Sequence, residues 1–355
     1  MPLGANGIYL PFNAAAAPWT TVSYHGQTVS NGLAFHATKQ LSLIASRSAN
    51  FVPPGISRYD FNGNFLQPVK GRGSETGVRF DVLDGRLTGT LAYYDTTEKN
   101  RADSLISKNK QVWVQYLWDA IKGPGYYIAP ANPFTDTVDR KSTGYELQLT
   151  ASPIASIRIY GSVAKAEVVA SNVDPIFTRN YNQNLTAWQA NAARPVNDFA
   201  NLGYKTVGDV LTALSQEFEG DLAAAGRRPV DTREWTGSLA VTCLFPKQFL
   251  PGMRLTGRAS WRSAPVIGYL LGGATALMGR SEETYDLSLS YERLVTIRNT
   301  SVRVSLTAQA LNFIDTRRPV PFTAVAYGSG PTDYYISTQR PMAPRLFQYS
   351  LRLAF

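Results

Sequence analysis

The sequence predicts an all-β fold, an antiparallel transmembrane β-barrel with its long loops on one side, and three observations carry that expectation. Segment after segment places apolar residues at every second position, the period of a strand with one apolar face. The connections between those segments alternate strictly between short and long. Hydrophobic residues make up 44% of the 355, yet no run of about 18 apolar residues occurs, so the apolar content is spread over alternating strands instead of gathered into a membrane-spanning helix. The 19 tyrosines, 16 phenylalanines and 6 tryptophans suit strands too, because aromatic side chains pack well on a pleated surface.

Eleven strands are expected, near 32–37, 39–47, 74–83, 86–97, 141–152, 156–168, 231–244, 252–262, 282–292, 300–312 and 345–355. In the fourth, Leu87, Gly89, Leu91 and Tyr93 oppose Thr88, Thr90, Ala92 and Tyr94. In the fifth, Tyr145, Leu147, Leu149 and Ala151 oppose Glu146, Gln148 and Thr150. The eighth sets Met253, Leu255, Gly257, Ala259 and Trp261 against Arg254, Thr256, Arg258, Ser260 and Arg262. The ninth opposes Tyr285, Leu287, Leu289 and Tyr291 to Asp286, Ser288, Ser290 and Glu292, and the tenth opposes Val302 to Ala310 at even positions to Arg303, Ser305, Thr307 and Gln309. The last gathers Phe347, Tyr349, Leu351, Leu353 and Phe355 on one face. No charge falls on the apolar face of these six.

The short connections are Thr38, Asp84-Gly85, 153–155, 245–251 and 293–299; the long ones are 48–73, 98–140, 169–230, 263–281 and 313–344. Asp84-Gly85 predicts a two-residue type I′ hairpin, in which both central residues take positive φ. A soluble antiparallel sandwich also alternates, but nothing in it keeps long and short connections in phase. A bacterial outer-membrane barrel does so, with short periplasmic turns and longer extracellular loops. The five long connections are therefore expected outside the cell, with the last strand running to the periplasmic side. Tyr93, Tyr145, Trp235, Trp261 and Tyr285 lie near the loop ends of their strands, and Tyr291 and Phe355 near the turn ends, where amphipathic rings form girdles at the two membrane interfaces.

The connection 169–230 differs from the others, because Asn184 to Ala193 and Val207 to Ala225 carry apolar residues at helical spacing, with Val207, Val210, Leu211, Leu214 and Phe218 on one stripe. A helical cap over the outer mouth is expected, with Gly226 as its C-cap.

Catalytic and cofactor chemistry finds little support. Cys243 is the sole cysteine, beside Leu239 and Val241 on an apolar face, and His25 and His36 are the only histidines, so no disulfide, multi-thiolate metal site or Ser-His-Asp triad is expected. Gly71, Gly73 and Gly77 miss the dinucleotide spacing and lead into a strand, and Gly328-Ser329-Gly330 lacks the spacing of a nucleophile elbow. The formal charge of +9 forms no basic cluster beside a stacking platform, which argues against nucleic acid. Arg79, Arg158, Arg254, Arg258, Arg262, Arg303 and Arg352 fall instead on the polar strand face. As lumen residues they would meet an acidic protein surface, help an anionic ligand pass, or be solvated in a wet interior.

Several segments together resemble the TonB-dependent receptors. Phe51-Val52-Pro53-Pro54, Leu66-Gln67-Pro68 and the run Gly71 to Leu87 are similar to that family's proline-bearing outer loop, its strand of the form G-x-E-x-G-x-K/R-x-D, and its tight turn. Gly89 to Asn100 resembles the next strand, Ser142 to Leu147 the K-G-x-E-x-E strand start, and Leu311-Asn312-Phe313-Ile314-Asp315 the N-L-F-D element. Phe355, with Phe347, Tyr349, Leu351 and Leu353, resembles the end signal read by the barrel-assembly machinery. The resemblance implies the C-terminal half of a 22-stranded barrel over 32–355, with 1–31 as an outer loop or irregular segment and 169–230 as an extracellular insertion. It implies an outer-membrane transport receptor, working with a plug domain and TonB to import a scarce ligand such as an iron-siderophore, cobalamin or a glycan, with no cofactor. This chain shows neither plug nor signal peptide, and about half the strands, so a fragment or truncated product is expected. Two alternatives stay open: a stand-alone porin or barrel enzyme, which needs a further strand within 1–31, and a soluble β-sandwich binding module, which needs tolerance of charge on the apolar faces.

Overall fold

The computed structural model describes residues 23–54, 58–129, 134–198, 201–223, 225–246, 248, 250–270, 275–297, 300–326 and 330–354. Fifteen strands lie among them: β1 (Val29–His36), β2 (Leu41–Val52), β3 (Val69–Val82), β4 (Leu87–Leu105), β5 (Thr135–Ile154), β6 (Ile157–Ser171), β7 (Trp235–Leu244), β8 (Met253–Arg262), β9 (Val266–Tyr269), β10 (Ala276–Met278), β11 (Glu282–Ile297), β12 (Thr300–Leu311), β13 (Val320–Ala326), β14 (Tyr334–Arg340) and β15 (Leu346–Ala354). Eleven of them form a single sheet in the order β1-β2-β3-β4-β5-β6-β7-β8-β11-β12-β15, each antiparallel to the next. β9 with β10, and β13 with β14, are separate hairpins inside the long connections 263–281 and 313–344. The sheet is a partial barrel, unclosed, with β1 and β15 at its edges. A sandwich would need a second sheet packed on the apolar face, and among the described residues none is there.

The eleven strands correspond one to one with those expected, and the differences lie at their ends. β1 begins at Val29, so the segment 1–31 expected as loop contributes its last three residues to the sheet, and residues 1–22 lie outside the described residues. β4 and β5 climb well past the expected loop start to Leu105 and back from Thr135. Their register shifts between Glu98 and Arg101 and again between Arg101 and Ser104. Asn100 sits there at φ 59° with its N–H donating to Asp139 Oδ1 at 2.9 Å. A bulge inserts an unpaired residue, which destroys the period of two that makes a strand legible.

The turns behave as the chemistry of their residues requires. Asp84 and Gly85 have φ of 54° and 80°, and the Arg86 N–H donates to the Leu83 carbonyl at 3.1 Å, which closes the expected type I′ hairpin. Gly252 (φ 85°) turns the chain into β8 so close to β11 that a Cβ would lie 1.9 Å from the Glu292 carbonyl oxygen. Only glycine fits there. The connection expected at 293–299 is shorter, since β11 and β12 stay paired to Ile297 and Thr300.

Three helices occupy the long connections: α1 (Lys108–Lys122) between β4 and β5, and α2 (Pro175–Ala190) and α3 (Val207–Leu222) between β6 and β7. α3 starts where the sequence stripe does, fixed by a capping box in which Thr206 accepts the Asp209 N–H and Asp209 accepts the Thr206 N–H. α2 begins at Pro175 instead of Asn184, with the proline at the first helical turn where its missing N–H costs nothing. Gly226 is not the C-cap of α3, which is Ala223; Gly226 (φ 77°) instead donates its N–H to Ala170, tying the chain back to the end of β6.

The largest apolar core lies among these connections and not against the sheet. Phe61, from the β2–β3 connection, packs edge-on to Phe177 of α2 at 5.1 Å between ring centroids, and Phe177 packs on Phe218 of α3 at 5.4 Å. Trp118 of α1 meets Trp188 of α2 at 6.0 Å. Phe177, Trp188, Val210 and Leu214 are fully buried. Three connections that are distant in sequence thus share one core, which none could build alone. A smaller cluster joins the two hairpins through Ile267, Leu270 and Leu277 against Ala324, Ala326 and Tyr334.

Candidate functional site

Directly paired residues on antiparallel strands share one face of a sheet, so the register sorts every strand residue onto one of two surfaces. One row crosses eight strands as Ser42, Arg79, Thr90, Gln148, Ser162, Ser238, Ser260 and Thr284. On the opposite face run Leu43, Val78, Leu91, Leu147 and Val163, and further along Cys243, Leu255, Leu289, Ala308 and Tyr349. The separation expected from single strands therefore holds through the middle of the sheet, while charged residues join the apolar face toward the strand ends, among them Asp95, Lys141, Lys165, Glu167 and Arg293. The apolar surface is bare: Leu33 is 71% exposed and Tyr349 78%, values that only a lipid or protein environment makes tenable for a continuous patch of this size.

All six girdle aromatics, Tyr93, Tyr145, Trp235, Trp261, Tyr285 and Tyr291, fall on the apolar face. Tyr93 and Tyr145 sit opposite each other with centroids 5.1 Å apart, and Lys165, paired to both Tyr145 and Trp235, holds its Nζ 5.4 Å from the Trp235 ring. These form one band near the helical connections, while Tyr291, opposite Met253, lies toward the short turns. Phe347, Tyr349, Leu351 and Leu353 share that face along β15; Phe355 lies outside the described residues.

The seven arginines all lie on the polar face, but the structure divides them. Arg254 and Arg303 converge on Glu292, at 3.4 and 3.6 Å from its carboxylate oxygens. Arg79 faces Ser42 and Thr90, Arg158 faces Thr242, and Arg352 faces Ser305. Arg258 lies opposite Asp286 and Arg262 opposite Glu282. Around them the surface is lined by small hydroxyls that bond one another across strands, Ser162 to Ser238 at 2.8 Å, Thr242 to Thr256 at 3.0 Å and Ser260 to Thr284 at 2.5 Å.

A second ion cluster was invisible in the sequence. Glu282 accepts from Arg233, which precedes β7, and from Arg340, at the end of β14, the latter at 2.8 Å. The pairs are 49 and 58 residues apart and only the fold joins them. Beside them Arg227 stacks over Tyr269 at 5.3 Å, and the Tyr269 hydroxyl donates to the Arg228 carbonyl at 2.7 Å.

The helical connections hold buried charge of their own. Lys110, fully buried on α1, pairs with Asp221 of α3, lies 3.8 Å from Glu217, and sits 5.9 Å from the Phe177 ring centroid. Burial pulls its pKa below the ordinary lysine value, against the opposing pull of Glu217. Asp136 accepts N–H bonds from Thr137, Ile176 and Phe177 at 2.7, 3.1 and 2.8 Å, fastening α2 to β5. Burial nonetheless pushes its pKa from the ordinary 3.8 up to about 6, with Asp174 adding to the rise. A raised carboxyl destabilises the fold where it is ionised, so this contribution improves as pH falls from above 6 towards 4, by at most about 3 kcal/mol. Hydrogen exchange of α2, corrected for its intrinsic pH dependence, should slow over that window, and Asp136→Asn should flatten the response; an unchanged slope in the variant would place the titration elsewhere.

With the geometry in place, comparison with known proteins decides the family. The sequence matches the TonB dependent receptor-like β-barrel over residues 12–313. The chain belongs to that family. Among curated relatives, it is 30% identical to the metal-pseudopaline receptor CntO of Pseudomonas aeruginosa over 133 residues, 38% of this chain and 15% of that protein. It is 33% identical to the ferripyoverdine receptor of the same species over 94 residues, 26% of this chain and 12% of that one. The chain's fold matches the ferripyoverdine receptor in its complex with pyocin S2 with a TM-score of 0.55 at 14% identity, over 94% of this chain and 33% of that one. The receptor bound to ferripyoverdine gives 0.52 at 15% identity, again over 94% and 33%. The chain thus spans about a third of the solved receptors it matches. Its family is one of outer-membrane transport receptors, and the two-faced antiparallel sheet has the fold of a TonB-dependent receptor barrel wall.

Proposed function

We propose that this chain supplies part of the barrel wall and of the outer vestibule of a receptor that imports a scarce metal chelate across the outer membrane, energised through TonB. The observation that carries this reading is the two-faced sheet within a receptor barrel family, whose inner surface bears arginines among small hydroxyls while its long connections build a helical cap at one end. Both curated relatives are named for metal-chelate ligands, pseudopaline with metal and ferripyoverdine, which supports the ligand class. The arginine face is the lumen in this reading, the aromatic band marks the outer interface, and the insertion 169–230 is extracellular. A plug domain would fill the lumen and contact TonB, and the β15 residues would be read by the barrel-assembly machinery.

Uptake of a radiolabelled ferric chelate by iron-starved cells carrying the full-length gene should disappear on its deletion and on loss of TonB. Uptake that persists without TonB would contradict energised transport. Sidedness has its own test: cysteines at Lys122 and Gln183, on α1 and α2, should react with an impermeant thiol reagent on whole cells, whereas one at Ala155, in a short turn, should not. Labelling of Ala155 alone would invert the orientation.

A further inference from the structure

On the apolar face of the sheet, charge gathers towards the long connections with one exception. On β2 to β6 the charges of this face, Arg47, Arg72, Asp95, Lys141, Lys165 and Glu167 among them, lie level with or beyond Tyr93 and Tyr145, and on β11 Glu283 lies beyond Tyr285. Between these aromatics and the short turns, Arg293 is the only charged strand residue that the register places on the apolar face among the described residues. It is exposed and makes no ion pair or side-chain hydrogen bond among the described residues. The adjacent acid, Glu292, belongs to the polar face, where Arg254 and Arg303 engage it. Beside Arg293 the apolar face is furrowed. Ala308 of β12 lies between Leu289 of β11 and Tyr349 of β15, and Leu306 lies between Tyr291 and Leu351, so a low floor runs along β12 between taller walls. The furrow holds about 500 Å³, with Met253 of β8 on one flank. Ala310, between Leu287 and Phe347, continues the low floor away from Arg293, and at the other end Val304 is paired with Arg293 itself.

We propose that this furrow and Arg293 form a binding site for one anionic glycerophospholipid, with an acyl chain laid along β12 and the phosphate held by the Arg293 guanidinium. The inference rests on the proposed function, which sets the apolar face in lipid and the short turns at the periplasmic surface, and it adds a lipid of the inner leaflet as a partner. The dimensions suit that occupant. From Val304 to Ala310 the floor runs about 20 Å at the rise of a strand, and a tilt of about 45° carries that length through about 14 Å of depth, close to half of a hydrocarbon core about 30 Å thick. One leaflet's chain therefore fits between Arg293 and the middle of the membrane. Guanidinium stays charged at every physiological pH, and on a lipid-facing surface it needs an anion. With Glu292 on the opposite face, the phosphate of a lipid is the anion that a membrane brings to this position. A zwitterionic headgroup carries its own cation beside the phosphate, so a headgroup with net negative charge is favoured.

The test uses the full-length receptor purified from outer membranes in detergent, titrated with phosphatidylglycerol or phosphatidylcholine and read by native mass spectrometry. The wild type should retain one phosphatidylglycerol at least fivefold more tightly than phosphatidylcholine. R293Q should bring the two lipids within twofold of each other, and R293K, which keeps the charge, should keep the preference. A308F, which fills the floor of the furrow, should weaken phosphatidylglycerol at least fivefold, whereas A259F, the same change on the same face of β8 outside the furrow, should leave it within twofold. Should A308F fail to assemble, the comparison of R293Q with R293K decides. A heat-modifiable wild type that retains no phosphatidylglycerol, or an R293Q receptor with the wild-type preference, overturns the lipid site and leaves the receptor reading intact. Displacement of phosphatidylglycerol by equimolar lipopolysaccharide would assign the furrow to the outer leaflet and also overturns the proposal. A chain that never reaches the outer membrane sinks the receptor reading itself.

Discussion

Arginine in place of Leu255 or Leu289 should block assembly of the full-length receptor in the outer membrane, whereas arginine in place of Thr256 or Ser288, one residue away, should be tolerated. Leu255 and Leu289 are directly paired on the apolar face, and Thr256 and Ser288 are directly paired on the polar one. A guanidinium on the lipid side near mid-membrane costs roughly 2–4 kcal/mol, while on a wet inner face that already carries Arg254, Arg258 and Arg262 it adds one more solvated charge. The four variants differ by a single step along a strand, so differences in expression or local strand propensity cancel within each pair. Heat-modifiable mobility and resistance to protease in isolated outer membranes give the readout. Equal loss for both faces would mean that the sheet is not placed as the register indicates.

The second large effect concerns the helical connections. Trp188→Ala and Phe177→Ala should each destabilise the cap by about 3–5 kcal/mol, since both side chains are fully buried and their removal leaves a cavity that three separately anchored segments cannot close. The barrel should assemble normally in both variants. Limited proteolysis on whole cells should then cut the 98–140 and 169–230 connections together, because α1, α2 and α3 share one core. Cleavage confined to the connection that carries the mutation would show that the helices are independent of one another.

The membrane sheet was legible because its period of two survives in nearly every strand: from Met253 to Trp261 or from Phe347 to Leu353 the apolar face contains no charge. What the sequence concealed had local physical causes. α1 escaped notice since two of its buried positions are Lys110 and Gln111, polar residues that pattern reading assigns to the surface and whose Nζ and Nε2 donate to Asp221 and to the Ile106 carbonyl. The hairpin of β9 and β10 is only four and three residues long, and Val266, Ile267 and Gly268 are buried in succession, so it shows no alternation. The seven arginines could be placed on one face by counting, yet nothing in their spacing told which would find an acid. Glu292 serves two of them, and Glu282, opposite a third, is taken by Arg233 and Arg340 from different connections.

The account stands most directly on which face of the sheet meets lipid, and a nitroxide scan of β8 in the full-length receptor reconstituted in bilayers measures it. With one spin label at a time from Met253 to Arg262, oxygen, which concentrates in lipid, should collide most with labels at 253, 255, 257, 259 and 261, and a water-soluble nickel chelate most with those at 254, 256, 258, 260 and 262. The two accessibilities should oscillate out of phase with a period of two. Uniform accessibility along the strand, or oxygen favouring the even positions that carry Arg254, Arg258 and Arg262, would contradict a receptor barrel with the arginine face inward.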